Sequence, residues 1–183
     1  MLQDSHYPTN YFIIPGLGNS GPDHWQSNFE RSAPNFRRII QEEWDAPLCS
    51  DWITTINSTI SGYDPATVVL IGHSLVCAAI AHWATQCPTS IKGAMLVAPS
   101  DLEAPQYTFP AKGFDPLPKT RLPFPSIVVT SNDDYWVSPE RASFFARNWG
   151  SELINIGNAG HINAASGYGV WKEGLEVLGR LGA

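Results

Sequence analysis

Ser74 is the residue of this chain whose setting most clearly implies chemistry. It stands in Gly72-His73-Ser74-Leu75-Val76, after the apolar run Thr67–Ile71 and before the apolar, helix-forming run Cys77–Thr85. A serine in a G-x-S-x-G turn between a strand and a helix sits on a tight, strained corner, with its hydroxyl raised above the sheet. The helix that follows turns its free N–H groups and positive dipole end toward developing negative charge. That is the setting of a nucleophile for acyl carbonyls. The second small residue of the pattern is absent, because Val76 stands in its place. A branched Cβ at this point crowds close helix–strand packing. Either the surroundings yield room, or the elbow is displaced and activity is reduced.

A serine nucleophile needs a base, an orienting acid and two oxyanion donors. Of the five histidines, His161 in Asn158-Ala159-Gly160-His161 follows the last apolar strand run and precedes the last helical run. That places it at the carboxyl edge of a parallel sheet, beside the elbow. His6, His73 and His82 are less suited by position. Asp134 is the expected acid, in the chain order Ser, Asp, His, with Asp133 as second choice. Twin acids in a turn also serve simply as turn formers. The oxyanion donors are expected to be the amides of Leu75 and of Leu17, the latter in the glycine-rich turn 15–21. Gly16, His24, Trp25, Phe114 and Trp136, with Leu17, are expected to line a substrate pocket, although core packing explains an aromatic equally well. An imidazole base of ordinary pKa, ~6.5, implies activity rising between about pH 6 and 7.5.

These residues require an α/β scaffold. Apolar runs at 11–15, 36–40, 67–71, 93–98, 126–130 and 152–156 read as strands. Helical patterns cover roughly 23–32, 49–61, 75–86, 139–148 and 167–181. The alternation predicts one α/β/α sandwich over 1–183, with about six parallel strands and right-handed crossovers. Residues 1–9 form a polar tail. Residues 99–125 carry seven of the fifteen prolines and interrupt the rhythm between the fourth and fifth strands. Four aromatics there favour a packed loop near the site, in the place where larger relatives of this fold would insert a lid.

Composition narrows the class further. With 183 residues, one domain is expected. A net charge of −6 argues against a nucleic-acid partner, and no apolar run is long enough to span a membrane. Three cysteines without metal or redox spacing, and no secretory leader, suggest a cytoplasmic protein.

Four segments together resemble the α/β-hydrolases, and more narrowly the small serine hydrolases of the retinoblastoma-binding-protein-nine type. They are PGLGNSGPDHWQ at 15–26, GHSL at 72–75, LPFPSIVVTSNDD at 122–134 and AGHINAASGYGVW at 159–171. The resemblance implies a Ser74–Asp134–His161 triad, no cap domain, and neither metal nor organic cofactor. The residues themselves are read first as hydrolysing small esters or related acyl compounds through an acyl-enzyme. The same triad also serves thioesterases and amidases. A catalytically weak hydrolase fold used for binding is the alternative that Val76 raises. The chain has no LxCxE-type motif, so a retinoblastoma-protein partner is not carried over.

Overall fold

Unbroken apolar stretches, rather than alternating ones, build the middle of the sheet. A strand covered on both faces needs apolar side chains at odd and even positions alike. In the computed structural model, which describes residues 9–182, β3 (Val68–His73), β4 (Gly93–Val97) and β5 (Ser126–Thr130) are buried throughout. They are joined by β1 (Asn10–Ile14), β2 (Phe36–Arg38) and β6 (Glu152–Asn155). The six strands run in the order β2-β1-β3-β4-β5-β6, and every neighbouring pair is parallel. The polar tail expected at 1–9, with His6, lies almost entirely outside the described residues.

The order has one reversal. The chain steps outward from β1 to β2, then crosses back to set β3 on the other side of β1. Ligands in open α/β sheets bind at the carboxyl edge beside such a reversal. Here the glycine-rich turn after β1 and Ser74 after β3 meet at that point. Gln26 ties the two strand ends together. Its buried Nε2 donates to the carbonyls of Ile14 at 3.1 Å and Ile71 at 3.3 Å.

Helices cover both faces. On one side α1 (Trp25–Ser32) and α5 (Lys172–Gly182) pack with Ile13, Val69, Ile71, Met95 and Val97. On the other, α2 (Cys49–Ile60), α3 (Val76–Gln86) and α4 (Pro139–Trp149) pack with Phe12, Ile14, Leu70 and Leu96. Helix α4 begins as its sequence predicts. Ser138 caps it by accepting from the Arg141 amide, and Pro139 takes the first turn. Two expected boundaries shift. Strand β2 stops at Arg38, because Ile39 turns into the core while Ile40 stays 65% exposed. Helix α5 starts at Lys172 rather than 167. A short 3-10 turn over Ala164–Ser166 ends on Gly167 at φ 86°, and the chain then runs on to buried Trp171.

Residues 99–125 contain neither helix nor strand, yet the segment is firmly packed. Phe114, Leu117, Leu122 and Phe124 enter the core over α2, α3 and α4. Burying one such side chain contributes roughly 1.5–3 kcal/mol. The Trp149 indole donates to the Pro118 carbonyl at 2.8 Å, and Arg141 grips the Asp101 carboxylate with two nitrogens. Among the described residues no helix is long and apolar enough to cross a membrane.

The packing around Val76 answers the question its sequence raised. A Cβ on Gly72 would lie 3.1 Å from Val76 Cγ1 and 2.7 Å from Ile80 Cδ1. The bare Cα of Gly72 therefore supplies the room that Val76 takes up. Gly72→Ala should overpack this contact and lower stability by about 1–3 kcal/mol in urea unfolding. Adding Val76→Ala should recover part of that loss. Strictly additive losses in the double variant would contradict the assignment.

Candidate active site

Ser74 has a left-handed backbone, φ 64°, which for a residue with a Cβ costs on the order of 1–2 kcal/mol. The turn is held by the Ser74 amide donating to the Val97 carbonyl at the end of β4, 2.9 Å away. Gly16 presses against the turn from β1. A Cβ on Gly16 would lie 2.6 Å from the His73 carbonyl oxygen and 3.3 Å from the Leu75 nitrogen. Only glycine permits that approach. Val76 is completely buried and does not displace the elbow, contrary to one of the two outcomes expected for it.

Ser74 Oγ lies 2.8 Å from His161 Nε2. His161 Nδ1 lies 2.8 and 3.0 Å from the two oxygens of Asp134. An ionised carboxylate only accepts, so Nδ1 carries the proton and Nε2 is left to accept from the Ser74 hydroxyl. The Asp134 side chain is fully shielded from solvent, and its Oδ1 also accepts from the Trp136 amide at 2.8 Å. Asp133 has a different position. The residue is exposed, but its Oδ1 accepts from Ser131 Oγ and from the amides of Ala159 and Gly160, and so braces the turn that leads to His161. Those bonds, the Ser131 hydroxyl first, hold its carboxyl below the usual range.

The His161 turn is strained and clamped. Ile162 has φ 48°, an outlier for a β-branched residue. Trp25 Nε1 donates to the Ile162 carbonyl at 2.8 Å, and His73 Nε2 pairs with the His161 carbonyl at 2.8 Å. A carbonyl can only accept, so His73 carries its proton on Nε2. Three imidazoles follow one another here at steep angles, with His24–His73 and His73–His161 ring centroids each 4.9 Å apart and planes inclined by 67° and 56°. Burial, then the charges of His161 and His24, hold His73 well below the ordinary imidazole range. Burial first, then Arg38 and His161, lower His24 to about 4. Both rings are neutral at pH 7.

This arrangement corrects part of the expected pocket. Trp25 is wholly buried and His24 nearly so. Trp25 packs edge-on against both Phe29 and Trp171, while His24 caps α1 by accepting from the Gln26 amide. They support the His161 turn and offer no wall to a substrate. Phe114, 1% exposed, stacks edge-on against Trp52 and closes the floor of a cavity of about 110 Å³. That cavity is also lined by Leu102, Tyr107, Phe109 and Ala111. Trp136 is half-buried against Tyr107 and the 41% exposed Phe109. The Gly16 approach sets the glycine-rich turn against Leu75, whose nitrogen would lie 3.3 Å from a Cβ on Gly16. Among the described residues, neither the Leu17 nor the Leu75 amide donates to a protein acceptor. Among the same residues, no cluster of three metal-ligating side chains occurs.

Sequence reasoning missed Ser100. Its hydroxyl lies 2.9 Å from Ser74 Oγ. A polar residue just past the end of β4, at the edge where ligands bind, was the available signal.

The family model described as serine hydrolase matches residues 11–180. The chain belongs to the serine hydrolase family. A crystal structure assigned as a YdeN-like hydrolase from Pectobacterium atrosepticum is 35% identical, with 95% of this chain and 90% of that one covered and a TM-score of 0.84. The ydeN gene product of B. subtilis is 20% identical over 94% of this chain and 98% of its own, with a TM-score of 0.73. The type II thioesterase BorB of the borrelidin biosynthetic cluster is 14% identical over 100% and 96%, with a TM-score of 0.69. The last two similarities establish the α/β-hydrolase fold. None of the curated proteins compared matches the chain.

The buried histidines of this serine hydrolase set a pH dependence of stability. Unfolded His24 binds a proton near pH 6.5, whereas folded His24 does so only near 4. Stability is therefore greatest above about pH 6.5 and falls as the pH drops toward 4. The share due to His24 is about 2 kcal/mol between pH 7 and 5. His24→Asn keeps an N-cap acceptor and removes this titration. Its unfolding free energy should fall less steeply from pH 7 to 5 than that of wild type. Equal slopes would contradict a buried neutral His24.

Proposed function

We propose that the protein hydrolyses small carboxylic esters or related acyl compounds through a covalent acyl-enzyme on Ser74. The observation that carries this reading is the unbroken relay from Ser74 Oγ through His161 to the shielded Asp134 carboxylate. His161 Nε2 takes the Ser74 proton as Oγ attacks the acyl carbon, and the Leu17 and Leu75 amides receive the oxyanion. His161 then returns that proton to the leaving alcohol. In the second half, His161 takes a proton from water, hydroxide adds to the acyl carbon, and Ser74 leaves with the proton from Nε2. Asp134 keeps the imidazole in the required tautomer and stabilises the imidazolium. No step calls on a metal or organic cofactor.

The substrate reading rests on the edge of the site. Trp136, whose amide binds Asp134, packs with Tyr107 and Phe109, and these two rings also line the cavity of about 110 Å³, a volume that suits a short acyl or aryl group. Thioester and amide cleavage use the same machinery, so an acceptor panel belongs in the first assay. The reading includes a cytoplasmic, reducing setting. Cys49, Cys77 and Cys87 are free thiols, and burial pushes Cys49 up to about 12, so that it stays protonated.

Turnover of chromogenic esters of graded chain length, beside amide and thioester analogues, tests the proposal. Short acyl esters should turn over fastest. Ser74→Ala should lower kcat on the order of 10⁴–10⁶-fold, and Asp134→Asn about 10⁴-fold. Asp133→Asn should stay within several-fold of wild type. If Asp133→Asn is as damaging as Asp134→Asn, or Ser74→Ala retains turnover, the assignment fails.

A further inference from the structure

Ser100 belongs to none of the roles described so far, yet it touches the atom on which the proposed reaction turns. Its Oγ lies 2.9 Å from Ser74 Oγ, and the residue is 3% exposed. The Ser74 hydroxyl has one hydrogen. When that hydrogen points to a neutral His161 Nε2, the contact with Ser100 needs the Ser100 hydroxyl as donor and Ser74 Oγ as acceptor.

The position of Ser100 is tightly specified. Ala98, two residues earlier, has φ 48°, and its amide donates to the Val129 carbonyl at 2.8 Å. Pro99 fixes the next backbone angle. The Asp101 amide donates to the Trp136 carbonyl at 2.8 Å, and the Trp136 amide donates to Asp134 Oδ1 at 2.8 Å. A closed ring results, from Ser74 through His161, Asp134, the Trp136 peptide groups, Asp101 and Ser100 back to Ser74. Arg141 locks the ring from outside through the Asp101 carboxylate. A strained alanine at the end of a buried strand persists only where its surroundings enforce it. Here the enforced outcome is a hydroxyl aimed at the nucleophile.

We infer that Ser100 is a catalytic hydrogen-bond donor to Ser74 Oγ, acting chiefly when Ser74 is the leaving group. This inference rests on the reading of Ser74 as nucleophile. In the free enzyme the donor already binds Oγ, so acylation gains little from it. In the acyl-enzyme Oγ is an ester oxygen and a poor acceptor. As the tetrahedral intermediate collapses, the carbon–Oγ bond breaks and its electron pair passes to Oγ. His161 Nε2 then delivers the proton to Oγ. The Ser100 hydroxyl keeps its own proton and binds the growing charge. An interaction stronger in the transition state than in the ground state accelerates that step selectively.

The test is burst kinetics with p-nitrophenyl acetate, followed by intact-mass analysis of the quenched enzyme. Ser100→Ala should lower steady-state turnover about 10–100-fold. Its nitrophenol burst should persist, and acetyl should accumulate on Ser74. Ser100→Cys keeps the side chain's shape with a weaker donor. It should lie between wild type and Ser100→Ala, and it carries the test alone if Ser100→Ala does not fold. Turnover within twofold of wild type in the folded variant would overturn the inference. So would a fall in turnover without acyl accumulation, which marks a purely structural role. Labelling of wild type with a fluorophosphonate separates the two readings. Absence of a Ser74 adduct there overturns the nucleophile itself, whereas an adduct with normal Ser100→Ala kinetics overturns only the role of Ser100.

Discussion

The left-handed turn at Ser74 is the constraint on which the remainder of the site depends. Its φ of 64° lifts the hydroxyl clear of the sheet, and that conformation is held from two sides. Val97 accepts the Ser74 amide from β4, and Gly16 packs against the turn from β1. Both supports exist because β1, β3 and β4 are adjacent parallel strands whose carboxyl ends meet at one edge. The hydrophobic layers above and below the sheet thus do more than stabilise it. They fix the relative height of three strand ends, which a nucleophile and its oxyanion donors must share to a fraction of an ångström.

A second device holds the base. His161 sits on a turn that would relax if left alone, since Ile162 occupies a region β-branched residues avoid. Two neighbouring carbonyls, those of His161 and Ile162, are each gripped by a buried ring nitrogen. The histidine that makes one of these grips is nevertheless held neutral. Burial of His73 ensures this, and the like charge of any neighbouring protonated imidazole reinforces it. The same burial couples stability to pH.

Much of this was legible in the residue pattern. Strand β5 falls on Ser126–Thr130 as its apolar run predicts, and Ser138-Pro139 marks the start of α4. Ser74, Asp134 and His161 could be selected because each follows an apolar strand run, and in a parallel sheet all such ends face one edge. What could not be read are contacts made across the edge by residues far apart in the chain. The neighbourhood of Ser100 depends on a positive φ at Ala98, which no residue type announces there. Trp25 and His24 looked like pocket residues because they open a helix near the edge. Trp171 and Phe29 bury the first, and His73 covers the second. Val76 broke a motif, but its effect depended on Gly72, whose missing side chain is visible as space only in the fold.

Membership of the serine hydrolase family and the geometry at the sheet edge meet in one residue. The central claim is that Ser74 Oγ is an activated nucleophile, and covalent capture measures this most directly. Wild-type protein treated with a fluorophosphonate and mapped by peptide mass should carry one adduct, on Ser74, and none in Ser74→Ala. An unmodified protein, or an adduct on any other residue, would contradict the claim.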